Sequence, residues 1–269
     1  MNKGSGGLEG FLRRKGCGRK AAFMPYVTAG HPSPGVMPAV FRMLRDAGAD
    51  CLELGVPFSD PVADGVVIQE STQRALAAGV TLSSSLKMAA LASKAGLRVL
   101  LMGYSNPFLR AGLGPLAVRM ASAGVQGLIV PDLPLEESGR WRGILASRGI
   151  SLPLFAAPTT PEKRLREIAR RSSGFIYYVS VTGVTGERSA LPSVLAARLK
   201  WMRQRLDRPV CVGFGVSTPA QAARMARLAD GVIVGSALVR RLAGWTESAE
   251  KRSRIARWTA AMARAAHGL

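Results

Sequence analysis

Histidine is nearly missing from this chain, with only His31 and His267 among 269 residues. Chemistry built on a histidine base or a multi-histidine metal centre therefore has little to draw on, and carboxylates become the candidate catalysts. Cysteine is scarce too. Cys17, Cys51 and Cys211 are odd in number, far apart and without a CxxC pair, which argues against both a disulfide framework and a zinc site. Reduced thiols and no metal are expected. Aromatics make up only 6% of the chain, so the core must come from the leucine, valine, isoleucine and alanine that dominate its 48% apolar content. No stretch approaches the roughly 18 unbroken apolar residues of a membrane span. The opening MNKGSGGLEGFLRRKG has no apolar core of the kind a secretory signal carries. A soluble, cytoplasmic protein is expected. No Gly/Ser-rich linker or low-complexity block divides the chain, which predicts one domain over residues 1–269.

Acidic residues are also few. Seventeen Asp and Glu against 37 Lys and Arg leave a net charge of +20. Such an excess is compatible with nucleic-acid binding, with an anionic substrate, or with a surface that has drifted basic. The basic residues are spread over many predicted helices. Only Lys251, Arg252, Arg254, Arg257 and Arg264 resemble a patch, and the aromatic stacking motifs of RNA-binding modules are missing, so a solvated helix face is expected and no nucleic-acid partner.

What the chain has is one phrase repeated: a helical segment, a glycine or small-residue stop, then four or five mostly apolar residues. KAAFMPYVTAG, AGADCLELG, AGLRVLLMG, AGVQGLIVP, RGISLPLFA, SSGFIYYVS, DRPVCVGFG and LADGVIVGS supply eight such strands. Glycine past a helix provides the left-handed cap, and short apolar runs between helices read as parallel strands buried on both faces. With no hairpin signal among them, these units predict a closed α/β (β/α)8 TIM barrel, with short extra helices at the N-terminus and in the βα loops; an open doubly wound sheet is the alternative. Ser83, Thr160, Ser189 and Thr218 stand where helix N-caps belong, and Gly244–Leu269 reads as the last barrel helix.

Reacting groups of such barrels gather at the carboxyl ends of the strands. In Cys51-Leu52-Glu53-Leu54-Gly55 a carboxylate is embedded in a strand, and alternation sets Glu53 on the face of Cys51, opposite the leucines. If the leucines meet the helices, Glu53 points inward, where burial without a cation raises its pKa and fits it for acid/base work. Eleven residues on, the loop returns a second acid, Asp64. Two carboxylates in different environments can divide acid and base roles. A second constellation, Thr182 to Gly186, Gly213 to Ser217 and Gly235-Ser236, is a candidate phosphate cradle: glycine backbone approaches an anion closely, and the loops after the last two strands are the recurrent phosphate site of this architecture.

ELGVPFSDPVADG, at Glu53 to Gly65, closely resembles the signature of the tryptophan synthase alpha subunit family. FMPYVTAG, LMGYSNP, IVPDLPLEES, VTGVTGER, GFGVS and IVGSALV follow in the order of that family's strand ends and loops, so the likeness spans nearly the whole chain. The resemblance implies retro-aldol cleavage of indole-3-glycerol phosphate to indole and glyceraldehyde 3-phosphate. In it Glu53 is the acid/base, Asp64 holds the indole N–H, Tyr177 positions the glutamate and Thr185 bonds Asp64 on closure. It also implies phosphate binding at Gly186, Gly215, Gly235 and Ser236, and indole walls at Tyr26, Leu101 and Ile233, with Tyr26 standing where some members carry phenylalanine. Asp60, Asn106 and Pro107 fall on the surface that meets the beta subunit in an alpha-beta-beta-alpha heterotetramer. No cofactor is expected in this chain, pyridoxal phosphate belonging to the partner. A stand-alone lyase releasing free indole and a catalytically silent phosphate-binding allosteric subunit remain as alternatives.

Overall fold

The computed structural model describes residues 7–17, 21–179, 193–213 and 215–269. Eight strands lie in it: β1 Ala22–Thr28, β2 Cys51–Gly55, β3 Arg98–Met102, β4 Val125–Ile129, β5 Leu154–Ala156, β6 Ile176–Val179, β7 Val210–Gly213 and β8 Gly231–Val234. They hydrogen-bond in the order β4-β3-β2-β1-β8-β7-β6-β5, every neighbour parallel. The seam between β4 and β5 is joined by a parallel bridge at Gly127 and Ser151, where the Ser151 N–H donates to Gln126 O at 2.9 Å and the Leu128 N–H to Ser151 O at 2.8 Å. The sheet is thus a nearly closed barrel, and the open doubly wound alternative falls.

The helices are α1 Leu8–Cys17, α2 Met37–Asp46, α3 Val66–Ala77, α4 Leu82–Lys94, α5 Ser105–Arg110, α6 Leu113–Ser122, α7 Ser138–Ala146, α8 Glu162–Arg171, α9 Ser193–Arg205, α10 Pro219–Ala226, α11 Ser236–Leu242 and α12 Ala249–His267. The expected extra helices are α1 at the N-terminus and α3, α5 and α11 in the loops after β2, β3 and β8. Among the described residues no single helix is long and apolar enough to cross a membrane. Gly48 and Gly96, just past α2 and α4, take φ of 92° and 95°, the left-handed turn that returns the chain into a strand.

Helix starts are partly as expected. Thr218 caps α10, accepting the Gln221 N–H at 3.2 Å, and the Gln221 side chain returns the bond in a capping box. For α4 the cap is Thr81 rather than Ser83, because Ser84 completes the reciprocal pair with Thr81 and leaves Ser83 inside the helix. Thr160 does not cap α8; its hydroxyl accepts the Ala157 N–H at 2.9 Å, and Pro161 takes the cap position. Ser189 lies outside the described residues.

Strand alternation divides the core in two. Leu52, Leu54, Val99, Leu101, Tyr178, Val212 and Val232 pack outward against the helices. Met24, Cys51, Leu100, Ile129, Tyr177, Cys211 and Ile233 fill the barrel, and Leu8, Phe11 and Leu12 of α1 join that inner cluster. Bulky rings fit inside only because glycine stands opposite them: a Cβ at Gly213 would lie 2.7 Å from the Tyr177 ring, and one at Gly55 would lie 2.0 Å from the Tyr26 hydroxyl oxygen. At the opposite end from the loops, Asp50 and Asp230 each precede a strand and accept the N–H of a neighbouring one, Phe23 at 2.9 Å and Val210 at 2.8 Å.

The Tyr177 ring is hemmed in on its other sides too, with Phe155 stacked on it at 4.6 Å and Phe175 at 6.1 Å between centroids. Gly213→Ala should therefore destabilise the fold by about 1–3 kcal/mol. Thermal denaturation checks this, with an expected drop in Tm of roughly 2–4 °C per kcal/mol lost; an unchanged Tm would mean that the ring can move aside.

Candidate active site at the carboxyl ends of the strands

Glu53 lies on the inward face of β2, register-paired with Tyr26 on β1 and Leu100 on β3. At 1% exposure it is cut off from solvent, which decides its chemistry. The Tyr177 hydroxyl donates to Oε2 at 3.5 Å, while Oε1 has no hydrogen-bond partner among the described residues. Burial pushes the carboxyl up to about 8; the Tyr177 bond opposes that rise and the nearby Asp64 charge adds to it. Neither neighbour is a cation. A carboxylic acid that holds its proton at neutral pH, with one oxygen tethered and the other free, can give and take a proton.

Asp64 sits in the loop between β2 and α3, half-buried, with a pKa raised to about 6 by desolvation, against which the Tyr104 hydroxyl acts. The two carboxyls are thus separated by environment, the strand acid protonated and the loop acid largely ionised near pH 7. Many other acids of this basic protein take cation partners on the shell, such as Glu9 with Arg208, Asp50 with Lys15 and Glu136 with Arg164. Among the described residues no ion pair holds Glu53 or Asp64.

Tyr104, just past β3, was not singled out from the sequence. Its hydroxyl accepts the Ala63 N–H at 2.9 Å and its ring lies 5.4 Å from that of Phe58, so it clamps the Asp64 loop to the next strand end. With Tyr26, Phe58, Asp64, Met102 and Pro131 it lines a cavity at the barrel mouth. Ser105 continues the clamp, donating its backbone N–H and its hydroxyl to Asp132 in the loop after β4, at 2.9 and 2.7 Å. In LMGYSNP the tyrosine follows the glycine just past the strand, and nothing in that stretch marks what it holds.

Tyr26 and Ile233 both face inward, Tyr26 at the mouth and Ile233 one layer below, where it pairs with Met24. Leu101 does not. It pairs with Leu54 on the outward face and packs against the helices, which removes it as a ring wall; Met102, its neighbour of opposite parity, reaches the mouth beside Tyr26. Gly215 (φ 73°) follows β7, and Gly235 and Ser236 follow β8 at the start of α11, with Gly235 close against Tyr26. Thr185 and Gly186 lie outside the described residues. Asp60 and Asn106 are exposed and Pro107 is half-buried, on the loops after β2 and β3 that Tyr104 clamps together. Cys51 and Cys211 are buried free thiols in the barrel, and burial pushes Cys51 up to about 12, far from reactive. Arg252, Arg254, Arg257 and Arg264 lie exposed along α12, with Arg254 paired to Glu250 at 3.8 Å.

Comparison with known proteins converges on one family. The family model described as tryptophan synthase alpha chain matches residues 13–267. The tryptophan synthase alpha chain of Chloroflexus aggregans is 48% identical over 236 residues, 87% of this chain and 88% of that one. That of Citrifermentans bemidjiense is 49% identical over 231 residues, 86% of each chain. Among solved structures, tryptophan synthase subunit alpha from Legionella pneumophila superposes with a TM-score of 0.88 at 33% identity, covering 97% of this chain and 98% of that one. A chain of Mycobacterium tuberculosis tryptophan synthase gives 0.87 at 35% identity, with coverage of 97% and 98%. A family match running almost from end to end, with relatives near half identical, establishes that this chain belongs to the tryptophan synthase alpha chain family.

Proposed function

We propose that this protein is the lyase subunit its family implies, cleaving indole-3-glycerol phosphate to indole and glyceraldehyde 3-phosphate. The observation that carries the reading is Glu53, buried inside the barrel with Oε1 unpartnered among the described residues, its pKa pushed up by burial and by the charge of nearby Asp64. Glu53 protonates the ring carbon that bears the side chain, and the bond from that carbon to the glycerol unit breaks. The side-chain hydroxyl next to the break gives up its proton to Glu53 and becomes the aldehyde, so the acid ends as it began. Asp64 accepts the indole N–H. As the ring draws electrons its nitrogen gains positive charge, which a fixed carboxylate stabilises more than it does the ground state.

Tyr177 acts on the reaction through Glu53, holding Oε2 so that Oε1 meets the substrate. Tyr26, Ile233 and Met102 wall the ring, and Gly186, Gly215, Gly235 and Ser236 receive the phosphate; Thr185 bonds Asp64 when substrate is bound. These residues ask for no metal or organic cofactor. The chain works as one cytoplasmic barrel domain and hands indole to a beta subunit, the pyridoxal phosphate carrier, within an alpha-beta-beta-alpha tetramer. In support, the clamped loop bearing Asp60 also exposes Val62, at 84%, and runs into α3, whose first residue Val66 is 68% exposed, apolar surface of the kind a partner covers.

Steady-state cleavage assays test the acid/base assignment. Glu53→Gln should lower the rate by at least ~10², and normal activity in that variant would refute it. The pH dependence of kcat/KM should rise through about 6 as Asp64 ionises and fall through about 8 as Glu53 loses its proton. A profile flat from pH 5 to 9 would contradict the division of roles between the two carboxyls, whose pKa values lie at about 6 and about 8.

Stability gives an independent check. A carboxyl whose pKa is raised in the folded state stabilises the fold fully below its unfolded value near 4.5, and that contribution drains away as pH rises through about 8. Glu53→Gln should therefore match the parent in Tm near pH 4.5 and exceed it above pH 8. Equal melting curves across that range would show Glu53 to be solvated. For the partner, adding a beta subunit should accelerate cleavage, and Asp60→Ala should weaken that response while leaving the basal rate in place; no acceleration and no complex would favour the stand-alone lyase.

A further inference from the structure

Tyr26 carries a hydroxyl whose proton can be traced. Three buried hydroxyls run in line from the barrel mouth into α3: Tyr26 Oη lies 3.4 Å from Thr28 Oγ1, Thr28 Oγ1 lies 2.6 Å from Ser71 Oγ, and Ser71 Oγ donates to Ile68 O at 2.8 Å. Each hydroxyl owns one proton and can accept more than one bond. A carbonyl can only accept, so the Ser71 proton is committed to Ile68. The short contact between Thr28 and Ser71 then takes the Thr28 proton, and the contact between Tyr26 and Thr28 takes that of Tyr26. Donation from the cavity outward, Tyr26 to Thr28 to Ser71, is the one order that satisfies all three contacts at once, the Tyr26–Thr28 contact being the longest of them at 3.4 Å.

The hydroxyl at its head is also fixed in place. It occupies the space above Gly55 where a side chain would stand, 2.0 Å from where a Cβ would be. Tyr26 and Asp64 line the same cavity, and Tyr26 is the register partner of Glu53.

We infer that Tyr26 is a specificity-determining positioning residue: its proton is spent on the Thr28–Ser71 relay, so it offers the cavity only lone pairs and accepts a hydrogen bond from a ring N–H held at Asp64. This rests on the proposed heteroaromatic substrate. The relay makes the pocket select for a donor at that ring position. A tyrosine free to turn its proton inward would instead donate to Asp64 and compete with the substrate N–H for the carboxylate.

Binding of indole and of benzofuran, which has the same outline with an oxygen where indole has N–H, separates recognition from packing. Both are titrated calorimetrically into the full-length protein, the Tyr26→Phe variant and the Thr28→Val variant. The parent should favour indole, and Tyr26→Phe should cut that preference by roughly five-fold, the size of one ordinary hydrogen bond, with benzofuran affinity unchanged. Thr28→Val, which breaks the relay without altering the cavity wall, should cut it as well. Unchanged benzofuran binding also certifies that each variant is folded. If the parent discriminates and Tyr26→Phe discriminates equally, or loses affinity for both ligands alike, the inference about Tyr26 is overturned while the functional reading stands. A parent that binds both ligands equally would overturn the functional reading itself.

Discussion

A carboxyl group sealed inside a parallel barrel, with no cation paired to it among the described residues, is the constraint on which the rest of this molecule turns. Glu53 is held to its proton by desolvation, with Tyr177 as its hydrogen-bond donor and Asp64 as its charged neighbour. Such a group is unfavourable for the fold once ionised, so the surroundings must leave it neutral without leaving it loose. The barrel meets both demands sterically. Gly213 makes room for the Tyr177 ring and Phe155 backs it, so the phenol that steadies Glu53 is itself wedged in place. A cation in that layer would have secured the carboxylate far more firmly and would have removed its proton at neutral pH.

The same steric logic explains the contrast between the two acids. Glu53 belongs to a strand hydrogen-bonded on both sides, and its position is as rigid as the sheet. Asp64 belongs to a loop and reaches the cavity because Tyr104 accepts the Ala63 N–H next door. Partial exposure gives Asp64 a smaller desolvation penalty, and hence a pKa of about 6 against about 8. Placing one acid in a strand and the other in a loop thus sets their protonation states apart without any further charge.

Much of this was legible in the chain. Each strand is a short apolar run set off by a helix and a glycine turn, and CLELG announces its own orientation because one face is leucine and the other is not. Parity needs such an anchor. β3 is apolar on both faces, so LRVLLM cannot say by itself whether Leu101 or Met102 looks inward; the answer comes from its pairing with β2, a contact between residues far apart in sequence. The Thr81-Leu-Ser-Ser-Ser stretch offers several hydroxyls as caps, and the choice of Thr81 depends on the reciprocal bond from Ser84 rather than on residue type. Tyr104 escaped for a related reason. A tyrosine after a strand-ending glycine reads as loop, and its task emerges only when the β2 and β3 loops are brought side by side.

That adjacency ties the proposed partner surface to the proposed chemistry. Asp60 and Asp64 share one short loop, Tyr104 fastens it to the start of α5 with Asn106 and Pro107, and Asp132 fastens α5 to the loop after β4 through Ser105. A protein docking on Asp60, Asn106 and the exposed Val62 would press on a linked set of loops, and the first of the two proposed reacting groups it would reach is Asp64. Glu53, locked in the sheet, would stay where it is. On the proposed roles, cleavage would be controlled from outside by moving one carboxylate relative to a fixed one, so that the strand-and-loop arrangement that divides their protonation would also divide their mobility.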